Sequence, residues 1–408
     1  MTASAVSLMT ATIATNATGL LFWAVAARIK SPREVGHAAA LVAAATLLAT
    51  LAQLNLTNVF IRLIPNSGNL AKSLVLRGYA AVTVFAVTLG VIYLVTGLSG
   101  NLISGIFVAR LAFVLSVVVL AIFALQDSVL TALRLAPWVA VENVSYSVSK
   151  LILLPVPALL LGITGILAAW VVPAAVAVAV VTWILIHRVF PARERLEGKL
   201  PPVRKLLNFV AAEYVGNSCS TATAQVMPLV IIWRLGASDA AYFTLPWLVA
   251  QGVGFLMWNI GSSFVVELAA AHGHADQLVR RGGALLAGVT LSALMVCVLG
   301  AHPLLEIIGA RYADHGTTLL RLIGLSLPFS AVVVIYSTLA WVDQRVWLLA
   351  GFLALSGSAL MLTTLVLLPK LGLSAAGWAY LGTQAAAALI MGPLAVARLR
   401  RGQLAAAA

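Results

Sequence analysis

Charged residues are scarce in this sequence. Only 9% of the 408 residues are Asp, Glu, Lys or Arg, whereas 62% are hydrophobic and the mean hydropathy is +1.06. Soluble domains carry about 25% charged residues, so this composition excludes a soluble fold. We therefore expect most of the chain to be surrounded by lipid.

Cysteines and acidic residues are also few. The two cysteines, Cys219 and Cys297, stand alone, so the sequence predicts neither a disulfide framework nor a zinc site. Residues 272–276 (HGHAD) have metal-like residue types, but their place in a short connector favours a solvated loop. The 12 acidic residues are scattered, and no phosphate-binding loop or nucleophile elbow occurs. We predict no enzymatic activity, no cofactor, no metal and no nucleic-acid partner.

Long apolar runs fill most of the chain. Residues 114–124 and 171–186 lack the alternation of polar and apolar residues that is typical of a membrane β-barrel. A membrane-spanning helix needs about 20 apolar residues, so a chain of this length with short connectors has room for about twelve. The sequence predicts an all-α polytopic membrane protein. We place its spans at 4–27, 37–60, 79–98, 108–131, 139–161, 166–188, 207–233, 241–265, 283–301, 318–341, 347–368 and 375–396.

Two stretches of the sequence, residues 28–78 and 234–282, repeat each other's landmarks in the same order. Asn58 corresponds to Asn259, and Arg77-Gly78 corresponds to Arg281-Gly282. Six spans per half is an even number, so both halves enter the membrane in the same orientation. The sequence therefore predicts two parallel six-helix bundles, related by a pseudo-twofold axis along the membrane normal. Rocking such bundles about an axial cavity gives alternating access.

A basic connector separates the two predicted halves. We predict an N-terminal bundle at 1–189, a cytoplasmic linker at 190–205 and a C-terminal bundle at 206–408. The linker's charge favours contact with anionic lipid of the inner leaflet over a specific partner site. Connectors on one side of the membrane carry about twice as many Lys and Arg residues as those on the other, which predicts an inner (cytoplasmic) membrane protein with both termini cytoplasmic. The linker's basic and turn-forming residues are Arg193, Arg195, Lys199, Arg204, Pro191, Gly198, Pro201 and Pro202.

Two passages of the chain carry a family resemblance. They comprise residues 27–32 with Gly36, residues 55–62 with Pro65, and, further on, residues 303–309 with Tyr312 and residues 319–322. The first passage resembles the start of polysaccharide exporters in the multidrug/oligosaccharidyl-lipid/polysaccharide (MOP) superfamily, and the second is similar to their passage from the ninth to the tenth helix. This resemblance implies the V-shaped, MATE-like fold of that superfamily.

The resemblance also implies a function. Such a flippase carries undecaprenyl-pyrophosphate-linked oligosaccharide from the cytoplasmic to the outer leaflet for surface polysaccharide assembly. Its partners would be the lipid-linked oligosaccharide, membrane lipids and polysaccharide-assembly proteins. Lipid II is disfavoured as the substrate, because lipid II flippases resemble this plan with two more helices. The alternatives are an ion-coupled drug or metabolite exporter of the same superfamily and, less favoured, a membrane-embedded transferase acting on lipid-linked sugars.

Polar residues inside the predicted spans are the candidate site, because ionised groups at membrane depth usually face protein or water. In the fifth span, Asn143, Ser147 and Lys150 stand at i, i+4 and i+7 and so share one face. Lys150 is the natural attractor for an anionic pyrophosphate; the alternative is that it only pairs with a carboxylate such as Asp127 or Glu142. The further candidates for the substrate cavity are Asn16, Asn55, Asn58, Asn217, Arg28 and Arg62.

Two carboxylates are candidates for coupling transport to a proton or sodium gradient. Glu213 begins a row with Asn217 and Ser220 in the seventh span, and Asp127 lies near the end of the fourth. A carboxylate in a cavity of low dielectric readily binds a proton and can release it to the other side on reorientation. The alternative for Glu213 is a carboxylate at the membrane interface with no coupling role.

Overall fold

A computed structural model describes residues 17–97, 103, 107–193, 198, 204–270, 275–342 and 346–407. For some helical residues, chiefly 204–213, 215–217, 262–270, 275–281 and 399–407, it describes the backbone alone. The chain divides into two compact units, Met1–Leu229 and Val230–Ala408. All of the regular structure within the described residues is helical.

The first unit contains eight helices and the start of a ninth within its described part. Two short 3₁₀ turns connect α3 to α4, and a short π-helical segment, Leu185–Val189, extends α8. The helices are α1 (Ala17–Ile29), α2 (Pro32–Ala52), α3 (Leu56–Leu63), α4 (Ala71–Val95), α5 (Phe107–Ala132), α6 (Ala136–Leu153), α7 (Pro155–Leu161), α8 (Ile163–Ile184) and α9 (Arg204–Leu235).

The second unit begins within α9 and continues with longer helices. Proline lies inside several of them, for example Pro246, Pro328 and Pro393. The helices are α10 (Ala237–Ala270), α11 (Ala275–Leu299), α12 (Ala301–Glu306), α13 (Ala310–Val342), α14 (Val346–Leu371) and α15 (Ser374–Ala407).

Each of the twelve predicted spans coincides with a described helix or with two consecutive ones. Nine are long and apolar enough to cross a membrane, and the bent pair of α6 and α7 makes a tenth. Two shorter apolar helical segments, Ala17–Ile29 and Thr221–Leu235, coincide with the first and seventh predicted spans. The structure is therefore that of a multi-pass, all-α membrane protein.

Two of the predicted spans are interrupted in the structure. Leu54 and Asn55 adopt left-handed φ angles of 49° and 56°, which separates α2 from α3. Pro155 cannot donate a backbone hydrogen bond, and the chain bends by 47° between α6 and α7. The sequence shows the proline, but it gives no signal for a left-handed leucine.

The core of the first unit forms around α5, which packs against α2, α4 and α8. Phe113, Val117, Leu125 and Val129 are buried along its length. The facing helix α2 carries a buried run of mostly alanines at residues 38–45, and such small side chains let neighbouring helices approach closely. Packing of this kind is the main source of helix association in lipid.

The two compact units divide inside α9, after Leu229, and the predicted linker at 190–205 stays a prediction. Within the first unit, the Tyr214 hydroxyl of α9 donates a hydrogen bond to the Leu51 carbonyl of α2 at 3.1 Å. The Arg193 guanidinium donates to the Ile64 carbonyl at 3.2 Å, and Gly198 packs against the backbone of Ser67. The start of the linker is thus bound to the turn that follows α3.

Candidate functional site

Helix α6 carries most of the candidate site. Pro137 stands in its first turn, where a missing N–H leaves no hydrogen bond unmade. Its buried face holds Glu142, Ser147 and Lys150, which are 6%, 1% and 3% exposed. Residues three positions apart lie on the same side of a helix, so Ser147 and Lys150 share one side, and all three polar side chains are buried in the first unit.

Lys150 is enclosed by aromatic rings. Its Nζ atom lies 3.9 Å from the ring centroid of Trp170 on α8, 4.8 Å from that of Tyr146 and 6.0 Å from that of Phe22 on α1. Trp23 extends this cluster, with its ring 5.9 Å from that of Trp170. We call Phe22, Tyr146 and Trp170 the aromatic cage. It connects three helices through one ammonium group.

The aromatic cage stands where the alternative interpretation expects an ion pair between Lys150 and a carboxylate. Within the described residues, the close ion pairs are Lys30 with Glu34 and His302 with Glu306. Among the described ion pairs, neither Asp127 nor Glu142 pairs with Lys150.

Simple magnitudes indicate what such a lysine can do. An ammonium at membrane depth costs about 2.5–3.5 kcal/mol on insertion scales. A desolvated cation–π contact returns about 2 kcal/mol. The cage therefore offsets part of the cost of burying Lys150 but leaves its charge without a counter-ion among its close described neighbours, and an incoming anion would supply one.

A second polar group lies between α5 and α6. The Asn143 amide donates to Asp127 Oδ1 at 2.9 Å and to the Val139 carbonyl at 3.0 Å. The charge of Glu142 interacts with Asp127 and with Tyr79 of α4. Neither carboxylate oxygen of Glu142 has a hydrogen-bond partner within the described part of the chain. Buried carboxylates in this state attract a proton or a cation.

Neighbouring buried acceptors extend this group. The Gln126 amide donates to the Val178 carbonyl and to the Thr182 hydroxyl of α8, at 3.1 and 2.9 Å. Its own Oε1 atom has no partner among the described residues, and the same is true of the Ser147 hydroxyl. The first unit therefore holds several unsatisfied buried oxygen atoms along α5 and α6.

Four other predicted site residues lie on α1 and in or beside α3, namely Arg28, Asn55, Asn58 and Arg62. Asn55 is buried at the α2–α3 break, where its Oδ1 accepts a hydrogen bond from the Asn58 amide at 2.9 Å. Arg28 and Arg62 are exposed at helix ends. Asn16 lies outside the described residues, as do the side chains of Glu213 and Asn217.

Sequence reasoning missed the aromatic half of the site. Phe22, Trp23 and Trp170 are not among the site residues that the sequence predicts. A signal was available, because a lysine in an apolar span needs either a carboxylate or ring faces as neighbours. The sequence could not show which helix supplies them. The sequence offers Glu142 only as a partner for Lys150, whereas in the structure its charge interacts with that of Asp127.

Sequence and structure comparisons place the chain in a family. A family model described as polysaccharide biosynthesis protein matches residues 1–251, more than half of the chain. The chain belongs to this family. No curated protein sequence gives a significant match. The resemblance inferred from the sequence is thereby confirmed.

Solved structures of related fold are found among transporters. An inward-facing multidrug resistance MATE family transporter of the MOP superfamily is 14% identical, with a TM-score of 0.70 over 97% of this chain and 94% of that one. The lipid II flippase MurJ in an inward closed conformation is 11% identical, with a TM-score of 0.70 over 96% of this chain and 87% of that one. A MOP superfamily transporter from Pyrococcus furiosus is 11% identical, with a TM-score of 0.60 over 97% and 95%. This polysaccharide biosynthesis family member therefore has the MATE-like fold that the sequence predicts.

Proposed function

We propose that this protein is a flippase for polyprenyl-diphosphate-linked oligosaccharide, moving it from the cytoplasmic to the outer leaflet for surface polysaccharide assembly. The observation that carries the proposal is Lys150, a buried ammonium held by aromatic rings, with no carboxylate paired to it within the described residues. A diphosphate is the kind of anion such a cation attracts. Membership of the polysaccharide biosynthesis family and the likeness to a lipid flippase support the same substrate class.

In this proposal the ammonium of Lys150 exchanges its ring contacts for the diphosphate when substrate enters. The aromatic cage remains available for the sugar, because apolar ring faces with polar edges suit stacking against carbohydrate. No covalent bond forms or breaks, so the protein acts as a transporter and not as a transferase.

The test is a pair of lysine variants in a strain deleted for the gene. Lys150→Ala should strand lipid-linked sugars on the inner leaflet and reduce surface polysaccharide. Lys72 is exposed on α4, so Lys72→Ala is the matched control and should restore assembly. Normal surface polysaccharide in the deletion strain itself would contradict the proposal. A loss of drug resistance in that strain, with polysaccharide intact, would favour the drug or metabolite exporter instead.

We further propose that transport is coupled to a proton or sodium gradient through the carboxylates. Asp127 with its Asn143 partner and the unpartnered Glu142 support a coupling site in the first unit, and Glu213 remains the candidate on α9.

Asp127→Asn and Glu213→Gln should each be assayed in vesicles with and without an imposed gradient. The variant that loses gradient dependence while still binding substrate identifies the coupling residue. Asp314→Asn, at an exposed position, is the control. Gradient dependence that survives in both variants would remove both residues from this role.

The proposed setting is the inner (cytoplasmic) membrane with both termini cytoplasmic, which the distribution of Lys and Arg supports. Polysaccharide-assembly proteins are the expected partners on either side.

A further inference from the structure

A groove of about 650 Å³ runs between α10 and α11 in the second unit. Its walls are apolar apart from the hydroxyl of Ser292 among the lining side chains. Leu285 and Val296 on α11 are 63% and 52% exposed, so the groove opens outward from the unit, while Cys297 is buried at its base. Its volume falls in the range of small-molecule sites, about 300–1,000 Å³. We call it the α10–α11 groove.

The internal repeat supplies a reference for this groove. Pairing Arg77-Gly78 with Arg281-Gly282 aligns α4, Ala71–Val95, with α11, Ala275–Leu299, over their full 25 residues without a gap. Burial supports the alignment. Val82 and Leu286, and likewise Ala86 and Thr290, are buried at equivalent positions.

Most of the side chains that line the groove from α11 are smaller than their counterparts in α4, although Leu285 is larger than its counterpart Ala81. The open space at the α10–α11 groove therefore follows from particular residue choices in one copy of the repeat, since both copies use a helix of the same length. Gly288 has no atom within 4 Å of the place where a Cβ would stand. The size differences are Val84 to Gly288, Phe85 to Val289, Leu89 to Ala293 and Tyr93 to Cys297.

We propose that the α10–α11 groove binds the isoprenoid chain of the lipid-linked substrate; this inference rests on the proposed flippase function. The groove lies in a membrane-spanning part of the chain and its lining is apolar, so its occupant is a hydrocarbon from the bilayer. A methyl-branched chain needs more width than a straight acyl chain, and the small residues at 288 and 293 provide that width.

The order of residues along the sequence of α11 fits the same occupant. In the sequence, Arg280 and Arg281 precede the lining residue Ala284 by about one helical turn, at the predicted cytoplasmic end of the span. An isoprenoid chain that ends in a diphosphate is apolar along its length and anionic at its head. Along α11 the basic pair comes first and the apolar lining residues follow, which matches the anionic head and the apolar chain of such a lipid.

The expected preference is modest, because lipid chains in the bilayer are as apolar as the groove itself. Packing, not the hydrophobic effect, must supply the difference. Filling the groove should therefore weaken binding of the chain by about three- to tenfold, the range typical of packing interactions within membranes.

The experiment uses the full-length protein in vesicles of phosphatidylethanolamine and phosphatidylglycerol, with radiolabelled undecaprenyl diphosphate as the probe. p-Benzoylphenylalanine replaces Ser292 in the groove or, as a control, Leu355, which is 67% exposed on α14. Photocrosslinking at 292 should exceed that at 355. Unlabelled undecaprenyl diphosphate should compete, whereas added phosphatidylglycerol at the same concentration should not. Equal labelling at both positions, or equal competition by phosphatidylglycerol, would overturn the proposal by making the groove an ordinary lipid contact.

Filling variants give the second measurement. Gly288→Val and Ala293→Leu insert residues that α4 already carries at these repeat positions, so they are compatible with a helix of this kind. They should lower crosslinking at residue 292 by about three- to tenfold, as expected for packing interactions within membranes. Gly351→Val, at an exposed position of α14 with open space around it, should leave crosslinking unchanged.

Failure of this inference differs from failure of the proposed function. If the wild type moves lipid-linked oligosaccharide and the filled variants crosslink as well as it does, the groove proposal is wrong and the flippase stands. If the wild type crosslinks at 292 and moves no lipid-linked oligosaccharide, the groove stands and the flippase proposal is wrong.

Discussion

The two units bury different kinds of polar residue. Within the described part of the first unit, the buried set includes Gln126, Glu142 and Lys150, and several of its oxygen atoms have no partner. In the described part of the second unit the buried polar residues are all Ser or Thr. Most of these hydroxyls donate to a carbonyl three or four residues earlier in the same helix, as Thr244, Thr317 and Thr364 do.

This difference distinguishes polar residues that are satisfied within their own helix from polar residues that need a partner elsewhere. A hydroxyl that bonds back to its own helix is satisfied before any helix packs, so it costs little in lipid. A carboxylate or an ammonium cannot be satisfied by its own helix, so it must be stabilised by a partner, an aromatic cage or a ligand. The duplication supplies two similar sets of helices. In the described structure the first buries a carboxylate and an ammonium, whereas the second holds the half-buried Gln384 and an Arg398 that lies 5.3 Å from the ring centroid of Tyr336.

Equivalent positions make the contrast testable. Pairing Trp138 with Trp347 places Gly351 opposite Glu142 and Ala359 opposite Lys150. The second unit therefore offers a half-buried alanine where the first buries a caged lysine.

Ala359→Lys should produce the largest effect, because it installs the lysine of the first unit without its aromatic cage. An uncompensated ammonium at membrane depth costs about 2.5–3.5 kcal/mol. We expect a lower melting temperature and less folded protein on size-exclusion chromatography. Ala359→Met adds a similar length without charge and is the control. A lysine variant as stable as the methionine variant would show that the second unit also accommodates a buried cation.

Asn143→Leu should have the next largest effect, because it removes the amide that donates to Asp127. A hydrogen bond to a charged group contributes about 1.5–3 kcal/mol, and its loss leaves the carboxylate with one donor fewer. The loss of stability relative to the wild type should be largest at alkaline pH, where Asp127 is ionised, and should shrink in acid, where a protonated Asp127 no longer needs a donor. Melting temperature measured across pH checks this. The exposed variant Asp314→Asn should show no such pH-dependent difference from the wild type.

The fold could be read from the sequence to a large extent, but the site only in part. Apolar runs and span parity are properties of composition and order, and lipid leaves helices as the natural solution, so twelve helices followed. The position of Lys150 on a face with Ser147 also follows from helical spacing. What surrounds Lys150 depends on how α1 and α8 pack against α6, and packing of apolar helices leaves almost no periodic trace in these sequences.

Local backbone breaks were the other limit. Pro155 is a sequence signal for the bend after α6, because proline interrupts helices. Leu54 gives no such signal, since leucine rarely takes the left-handed conformation that it adopts here. Sequence patterns describe what residues prefer. Here the tertiary structure holds a residue against its preference, and Asn55, which tolerates that conformation better, follows it.

The cage itself should show a smaller, measurable coupling. Trp170→Leu and Lys150→Met, made singly and together, form a double-mutant cycle that isolates the cation–π contact. We expect a coupling free energy of about 1–2 kcal/mol in thermal or chemical unfolding, as for a desolvated pair. The same cycle with Lys72→Met in place of Lys150→Met should give no coupling. Additive effects of Trp170 and Lys150 would mean that the rings pack beside the ammonium without stabilising it.

The smallest effect should come from Thr364→Val in the second unit. The Thr364 hydroxyl is fully buried and donates to the Leu360 carbonyl at 2.7 Å, so valine removes one local hydrogen bond and keeps the shape of the side chain. Since the carbonyl keeps its helical partner and a helix-local bond contributes little in lipid, we expect a change below about 1 kcal/mol in unfolding free energy. Ser147→Ala in the first unit is the comparison, because its hydroxyl has no partner among the described residues and its removal should be neutral for stability. A substrate-transport defect in Ser147→Ala, with none in Thr364→Val, would place the unsatisfied hydroxyl of the first unit with the transport site and leave the satisfied one with the scaffold.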